Sequence, residues 1–267
     1  MKRATISAAG IEIRDVLFAI RGELASEPAG PVLVSGMLAD QLARGLSAGA
    51  EPGAVVVGGD ERLGRAAAAV RVIAGDPSEE DDTFVRAADE ARAAVVLVQL
   101  WPQAEWTRPY VLTPFVVECR PGEGFPVGAI ADRIAEASER RRGLAVRVPV
   151  LRDAVGRRIR REGIVRAGLI GLAGDLLGAS RPLLVLEQVR MVSRLAALRT
   201  GSVSSAETPL VAGIAAAGLA GGVTMRELAR TARLALPAPL VNATVATVST
   251  WALALAVRRL ARIEPSQ

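Results

Sequence analysis

Five short apolar runs, separated by stretches of helical pattern, constrain the fold of this chain more than any other feature. They are PVLVSG at 31–36, AVVVGG at 54–59, AVRVIAG at 69–75, AVVLVQL at 94–100 and FVVEC at 115–119. Each is short, rich in β-branched residues and bounded by Gly, Pro or Asp, which predicts buried strands. Helices are predicted between and around them, at 10–24, 37–47, 60–68, 79–92 and 126–138. This alternation predicts a doubly wound, five-stranded parallel sheet with helices on both faces.

The residues that are missing exclude several chemistries. The chain has no histidine and a single cysteine, Cys119. Ser-His-Asp and Cys-His triads and histidine-containing metal sites are therefore excluded. One cysteine cannot form an intramolecular disulfide, and its place in an apolar strand favours a buried structural thiol over a nucleophile. The first residues, MKRATISAAGIEIRD, are too charged for a signal peptide, so we expect a cytoplasmic protein or a soluble part that faces the cytoplasm.

The two halves of the chain carry opposite charge. Residues 1–139 hold 13 basic and 21 acidic residues, a net charge of −8, whereas residues 140–267 hold 20 and 7, a net charge of +13. The change falls in the arginine cluster ERRRGLAVRVP. A sign change of this size predicts two domains, 1–139 and 140–267, with different surroundings.

An acidic quartet, Glu79–Asp82, opens the predicted helix at 79–92. Negative charge in the first turn complements the helix dipole, and Ser78 before it is a preferred capping residue. Such a quartet can also bind a metal or a partner, but consecutive acids point around a helix instead of converging. We therefore expect helix capping.

The stretch VLVSGMLADQLARGL, residues 32–46, has the strand, glycine turn and helix that cradle phosphate in nucleotide-binding proteins. Ser35, Gly36 and Met37 occupy the turn, but no Gly-Lys-Ser or Gly-Lys-Thr follows. The only lysine of the chain is Lys2. Because that lysine contacts the β- and γ-phosphates in working sites, a phosphate loop at this turn is degenerate.

The order of elements over about residues 30–138 resembles an Era-like P-loop GTPase. VVECRPGEGFPVGAIADRIAE at 116–136 is similar to the last strand, Gly-x-Gly loop and helix of that family. The Asp-x-x-Gly of the family reads GDERLG here, with Asp60 available and Gly64 one place late, and its Asn-Lys-x-Asp reads WPQAEW. The resemblance implies a pseudo-GTPase without a cofactor or metal. The alternative is an unrelated doubly wound domain with ordinary βα loops.

The second half predicts apolar, basic helices. VLRDAVGRRIRREGI puts apolar residues on one face and arginines, including Arg157, Arg158, Arg160 and Arg161, on the other. Four apolar segments follow at 163–179, 182–198, 209–225 and 236–257. The last is uncharged, contains Trp251 and precedes Arg258 and Arg259, as a membrane span would, but its Asn, Ser and Thr residues also suit a soluble bundle.

RPLLVLEQVRMVSRLAAL at 181–198, with Leu184, Gln188 and Met191, is similar to the signature helix of an uncharacterised bacterial helical domain that often follows Era-like GTPases. The similarity covers about residues 146–260 and implies association with the inner membrane. It adds to the charge division, which independently favours an anionic surface for the second half.

Together these features predict a non-catalytic scaffold or regulator at the cytoplasmic face of the inner membrane, with a location free in the cytoplasm as the alternative. Its partner would be the membrane surface or a protein, either a true GTPase or a second copy of the chain. The alternative function is a GTP- or GDP-binding protein that uses Asp60 for magnesium and Arg62 or Arg65 for phosphate. Nucleic acid is not expected, because only one aromatic residue accompanies the arginines of the second half.

Overall fold

The computed structural model describes residues 29–75, 77–101, 115–177, 180–200 and 237–263. These residues form two compact units. The α/β unit contains the described residues up to 161 together with 198–200, and the helical unit contains 162–197 and 237–263. The change of charge at 139–140 precedes this division in sequence. The predicted helix at 10–24 and the apolar segment at 209–225 lie outside the described residues.

All five predicted strands are present and form one parallel sheet. They are β1 (Val32–Gly36), β2 (Val55–Val57), β3 (Ala68–Ala74), β4 (Ala94–Leu100) and β5 (Val116–Cys119). Their order across the sheet is β2-β1-β3-β4-β5. The prediction of a five-stranded parallel sheet is therefore confirmed. Since β2 and β3 lie on opposite sides of β1, the direction of winding reverses at β1, and a crevice is expected at its carboxyl end.

Helices cover both faces of this sheet. They are α1 (Ala39–Leu46), α2 (Glu79–Glu90), α3 (Val127–Ala137) and α4 (Arg141–Arg147). α1 contacts β1 and β2, α3 contacts β4 and β5, and α1 and α3 contact each other, which places them on one face. α2 packs on the other face, where Phe84 and Val85 join a buried cluster with Leu33, Ala69 and Leu97.

The predicted helix at 60–68 is wrong in its type and its end. Asp60–Arg65 forms a short 3-10 helix, and Ala68 already belongs to β3. Ala67 N–H donates to the Pro31 carbonyl, and Ala68 pairs with Val32. The alanines at 66–69 favour a helix intrinsically, but pairing with the buried strand β1 overrides that preference.

The predicted cap of α2 is confirmed and is tied to the sheet. Ser78 Oγ accepts from Asp81 N–H, and Asp81 Oδ2 accepts from Ser78 N–H at 2.9 Å, a capping box. Asp81 Oδ1 also accepts from Arg71 Nε of β3 at 2.8 Å, and the Arg71 guanidinium lies 5.2 Å from the centre of the Phe84 ring. Burial opposes ionisation of both groups, but these hydrogen bonds outweigh it, so the pKa of Asp81 is lowered and the pKa of Arg71 is raised.

Three long helices follow, α5 (Val150–Leu177), α6 (Ser180–Thr200) and α7 (Ala238–Ile263). The start of α5 belongs to the α/β unit, and its predicted apolar face is buried there at Leu151, Ala154, Val155 and Ile159. α6 contains the segment predicted at 182–198, and α7 begins within two residues of the segment predicted at 236–257 but continues to Ile263. The segment predicted at 163–179 is the second part of α5, which is described to Leu177.

Within the helical unit, α5 and α7 approach closely at two glycines. A Cβ on Gly171 would lie 2.7 Å from the Asn242 carbonyl oxygen, and one on Gly168 would lie 2.9 Å from Thr247 Oγ1. Buried polar side chains join α6 to its neighbours: Gln188 Nε2 donates to Thr250 Oγ1 at 3.1 Å. Hydrogen bonds of this kind fix the register of packed helices.

Candidate functional site

A cleft of about 470 Å³ opens at the carboxyl ends of β1 and β2, beside the start of α1. Its lining residues are Ser35, Gly36, Leu38, Ala39, Asp40, Gln41, Arg44, Val57 and Gly58. This is the edge of a doubly wound sheet at which ligands bind, next to the strand where the winding reverses. Three residues form the degenerate phosphate-loop position predicted from sequence. Ser35 and Gly36 line the cleft, whereas Met37, which follows them in sequence, does not.

Gly36 is required by the fold itself. Its φ is +89°, and a Cβ at this position would overlap the carbonyl oxygen of Val72 in β3. The next residue, Met37, donates its N–H to that same carbonyl at 3.1 Å. The absence of a side chain at Gly36 thus lets the turn lie against the backbone of β3. This close packing explains the glycine without a bound phosphate.

The residues that follow Gly36 are apolar and exposed. Leu38 has a φ of +56°, in the left-handed region, where a leucine is strained by about 1 kcal/mol. It occupies the N-cap of α1 without a side-chain hydrogen bond to the helix. Met37 and Leu38 are 49% and 46% exposed, and Val57 at the end of β2 is also exposed. Half-exposed apolar side chains therefore border the turn at which a phosphate would be held.

The polar groups of the cleft come mostly from α1, and sequence reasoning missed them. Asp40, Gln41 and Arg44 all line it, and Arg44 Nε donates weakly to the Asp40 carbonyl at 3.4 Å. Their i, i+1 and i+4 spacing on the predicted helix at 37–47 was the available signal. One carboxylate and one guanidinium leave the lining without net charge, which gives no strong preference for an anion.

Among the described residues that line the cleft, Ser35 is the one with a buried side-chain polar atom that has no hydrogen-bond partner within the protein. Its side chain is buried, with 3% of the residue exposed, and Oγ has no hydrogen-bond partner. A buried hydroxyl without a partner costs about 1–3 kcal/mol, so an occupant of the cleft that bonds to it would be favoured.

Asp60 and Arg62, the alternative magnesium and phosphate residues, lie in the 3-10 helix and are not among the residues that line the cleft. Arg62 Nε lies 3.7 Å from Glu61 Oε1, and that oxygen accepts from Gly59 N–H at 3.1 Å. Backbone hydrogen bonds lower the pKa of Glu61. Within the described residues, no group of three or more Asp, Glu or Cys side chains could hold a metal ion.

Cys119 ends β5 with 4% of its surface exposed. Burial raises the pKa of its thiol, because the thiolate would lose its hydration. The prediction of a buried structural thiol is confirmed in its placement.

The arginines predicted to contact a membrane or partner have mixed surroundings. Arg157 bonds to Asp132 of α3 at 2.6 Å, and Arg158 lies 3.5 Å from Glu136 of the same helix. Arg161 is exposed and Arg160 is half-buried. The two pairings are with a neighbouring helix of the α/β unit, which sequence periodicity could not reveal. Arg258 and Arg259 lie in α7, but their side chains are outside the described set.

α7 contains the candidate membrane segment. Pro239–Ala256, 18 residues with a mean hydropathy of 1.3, is long and apolar enough to cross a bilayer, and 28% of it is buried. Trp251 within it is exposed. By length and composition alone, this segment supports a membrane location only weakly, since the core helix of a soluble bundle can have the same properties.

Fold and cleft together define a parallel α/β unit with a crevice at its β1–α1 turn, followed by long helices of which α7 is apolar. No protein-family model matches the chain, and no curated protein or solved structure matches it either.

Proposed function

We propose that this protein is a non-catalytic, membrane-associated scaffold or regulator with a GTPase-like α/β unit that contacts a protein instead of a nucleotide. The observation that supports this most is an exposed apolar border at the turn, formed by Leu38 and Val57 in the lining of the cleft and by Met37 beside them. A nucleotide needs backbone N–H groups and a lysine at this turn, whereas a protein partner needs apolar surface that it can cover.

The free energy gained by covering these apolar side chains favours a protein partner at this turn. Covering a half-exposed Met, Leu or Val side chain contributes about 1 kcal/mol each, so the border supplies about 3 kcal/mol to an interface. Such a contribution suits the centre of a small, reversible interface, in which flanking polar residues add orientation. The partner we propose is a true GTPase or a second copy of this chain.

The membrane part of the proposal depends on the second half of the chain. Residues 140–267 carry a net charge of +13, and the apolar segment of α7 is followed by Arg258 and Arg259. Arginines near an anionic leaflet contribute about 1 kcal/mol each. We therefore propose the cytoplasmic face of the inner membrane as the location of an apolar, basic helical domain, with the cytoplasm as the alternative.

Calorimetric titration of the full-length protein with GTP and GDP, with and without magnesium, tests the nucleotide-free head. We expect no heat of binding up to millimolar nucleotide. Magnesium-dependent binding at micromolar concentration would contradict the proposal. Fractionation of cells tests the location: the protein should sediment with membranes, and its recovery in the soluble fraction at low salt would contradict membrane association.

A GTP- or GDP-binding protein is the second candidate, and the unsatisfied hydroxyl of Ser35 favours it. The two functions predict different behaviour of Ser35→Ala. If the cleft holds no nucleotide, the substitution raises the free energy of unfolding by about 1 kcal/mol, because it removes a buried hydroxyl that has no partner. If the cleft binds nucleotide, magnesium-GTP raises the Tm of the unmodified protein and raises it less in the variant.

A further inference from the structure

Seven large apolar residues in the described part of the helical unit are exposed. Leu183 lies on α6, and the other six lie on two neighbouring helices. They are Val165, Leu169 and Leu172 on α5, and Leu240, Val248 and Trp251 on α7, with exposures from 39% for Val248 to 60% for Leu169. Isolated exposed apolar side chains are common on soluble proteins, but a contiguous set marks an interaction surface. Whether these six are contiguous depends on how α5 and α7 pack.

The close contacts at the two glycines settle the relative direction of the helices. Gly168 of α5 faces Thr247 of α7, and Gly171 faces Asn242 and Ala243. Residue numbers rise along one helix as they fall along the other, so the pair is antiparallel.

The apolar residues then fall on one side of this pair. With 3.6 residues per turn, the three residues of α5 lie roughly a quarter turn past its glycines in the direction of increasing residue number. The three residues of α7 lie roughly a quarter turn past Ala243 and Thr247, again in the direction of increasing residue number. When two antiparallel helices face each other, a quarter turn in the direction of increasing residue number leads to the same side of the pair on both helices. The two sets of apolar residues therefore lie on the same side. We name these six residues the α5–α7 face.

The charge of the helical unit indicates what covers this face. Its described ranges contain seven arginines and three carboxylates, a net charge of +4, and α7 contains three arginines and no carboxylate. A second copy would bring together two helical units that both carry a positive net charge. An anionic bilayer instead combines an apolar layer for the six side chains with phosphates for the arginines.

Two observations indicate that the pair lies in the plane of the membrane. Trp251 is near the middle of α7, whereas tryptophans of spanning helices concentrate at the two interfaces. On α5, Arg166 directly follows Val165. Its guanidinium pairs with Glu187 at 3.3 Å, yet 47% of its side chain stays exposed, so this part of the face does not suit a hydrocarbon core about 30 Å thick.

We infer that the α5–α7 face docks on an anionic lipid bilayer at the depth of the headgroups, with both helices parallel to the surface. This inference rests on the membrane association proposed above and adds the face and the depth. A helix pair in this position immerses its apolar side about 5–10 Å into the bilayer.

The test uses full-length protein in which Trp101→Phe and Trp106→Phe leave Trp251 as the only tryptophan. Vesicles of phosphatidylglycerol and phosphatidylcholine carry bromine either near the headgroups or near the bilayer centre. We expect a blue shift of the Trp251 emission and stronger quenching by the shallow bromine. Pure phosphatidylcholine vesicles should bind at least tenfold more weakly.

Leu169→Ser tests the face itself, since it should lower the partition coefficient by roughly fivefold to tenfold through the loss of one apolar side chain. Leu183→Ser is the matched control, because Leu183 of α6 is also an exposed leucine of the helical unit but lies outside the α5–α7 face. It should leave lipid binding unchanged. Both substitutions are at exposed positions, and sedimentation of the three-tryptophan protein with vesicles provides a second measurement if the tryptophan variants do not fold.

The outcomes separate the two levels of the inference. Quenching that is strongest at the bilayer centre would overturn the in-plane arrangement while membrane association stands. Equal binding to neutral and anionic vesicles, or equal loss in Leu169→Ser and Leu183→Ser, would overturn the α5–α7 face as an anionic-lipid surface. Absence of any vesicle binding would overturn both this inference and the proposed membrane association.

Discussion

Replacing Gly36 with alanine should destabilise the α/β unit strongly, although it adds one methyl group. The φ of +89° is unfavourable for any L-residue and costs about 1 kcal/mol or more. The new Cβ would also overlap the Val72 carbonyl oxygen, so β1 and β3 must separate at the turn. That movement lengthens the hydrogen bond from Met37 N–H to Val72, now 3.1 Å, which contributes about 1 kcal/mol.

Overpacking against a backbone atom adds about 1–3 kcal/mol, so the free energy of unfolding should fall by about 3–5 kcal/mol in total. Urea unfolding followed by far-ultraviolet circular dichroism measures this loss as a lower midpoint. Amide hydrogen exchange, read by mass spectrometry on peptides of β1 and β3, shows whether the strands have separated locally.

Gly128→Ala is the matched control. Gly128 lies exposed near the start of α3, and a Cβ there would meet no atom within 4 Å. The same substitution should therefore stabilise the protein by about 0.5–1 kcal/mol. A loss below 1 kcal/mol for Gly36→Ala would refute the close approach of the turn to β3. Glycine at this position would then need another explanation, such as a bound ligand.

Three further predictions concern the described α/β unit. Arg71→Met should lower the free energy of unfolding by about 2–4 kcal/mol, because it leaves the Asp81 carboxylate buried with only its capping hydrogen bonds. Urea unfolding measures this change, and a loss below about 1 kcal/mol would contradict the prediction. Since folding lowers the pKa of Asp81, its contribution to the free energy of unfolding is present above about pH 4 and is lost as the pH falls through the lowered pKa. Between about pH 6 and pH 2, the free energy of unfolding from urea curves should therefore decline less for Asp81→Asn than for the unmodified protein. Cys119 should react with iodoacetamide at pH 8 at least tenfold more slowly in the native protein than in urea, because its raised pKa and burial limit the thiolate, and equal rates by mass spectrometry would refute this.

Local patterns decided the elements of this fold. The β-branched runs predicted each strand to within about two residues, and Ser78 before four acids predicted the start of α2. These features depend on neighbours in sequence, so they can be read without coordinates. The segment at 60–68 is the exception, since its strand pairing with β1 is non-local and overrides the helix preference of its alanines.

The candidate site likewise combines features that the sequence predicts with features that only the structure shows. The turn at Ser35, Gly36 and Met37 and its missing lysine were evident from the sequence, whereas Arg44 and the buried hydroxyl of Ser35 required the packed structure. The sequence also presented Arg157 and Arg158 as a basic face, but only tertiary packing places them beside carboxylates of α3. Ion pairing between helices depends on their arrangement in space, which periodicity within one helix does not encode.

By itself, then, the sequence determined the parallel α/β class, the strands and most of the helices, because hydrophobic periodicity and capping are local properties of the chain. Only the tertiary structure decided the order of the strands, the contact that requires Gly36, and the alignment of apolar residues from α5 and α7 on one side. Each of these arises from contacts between residues far apart in sequence, whose free energy depends on which surfaces meet.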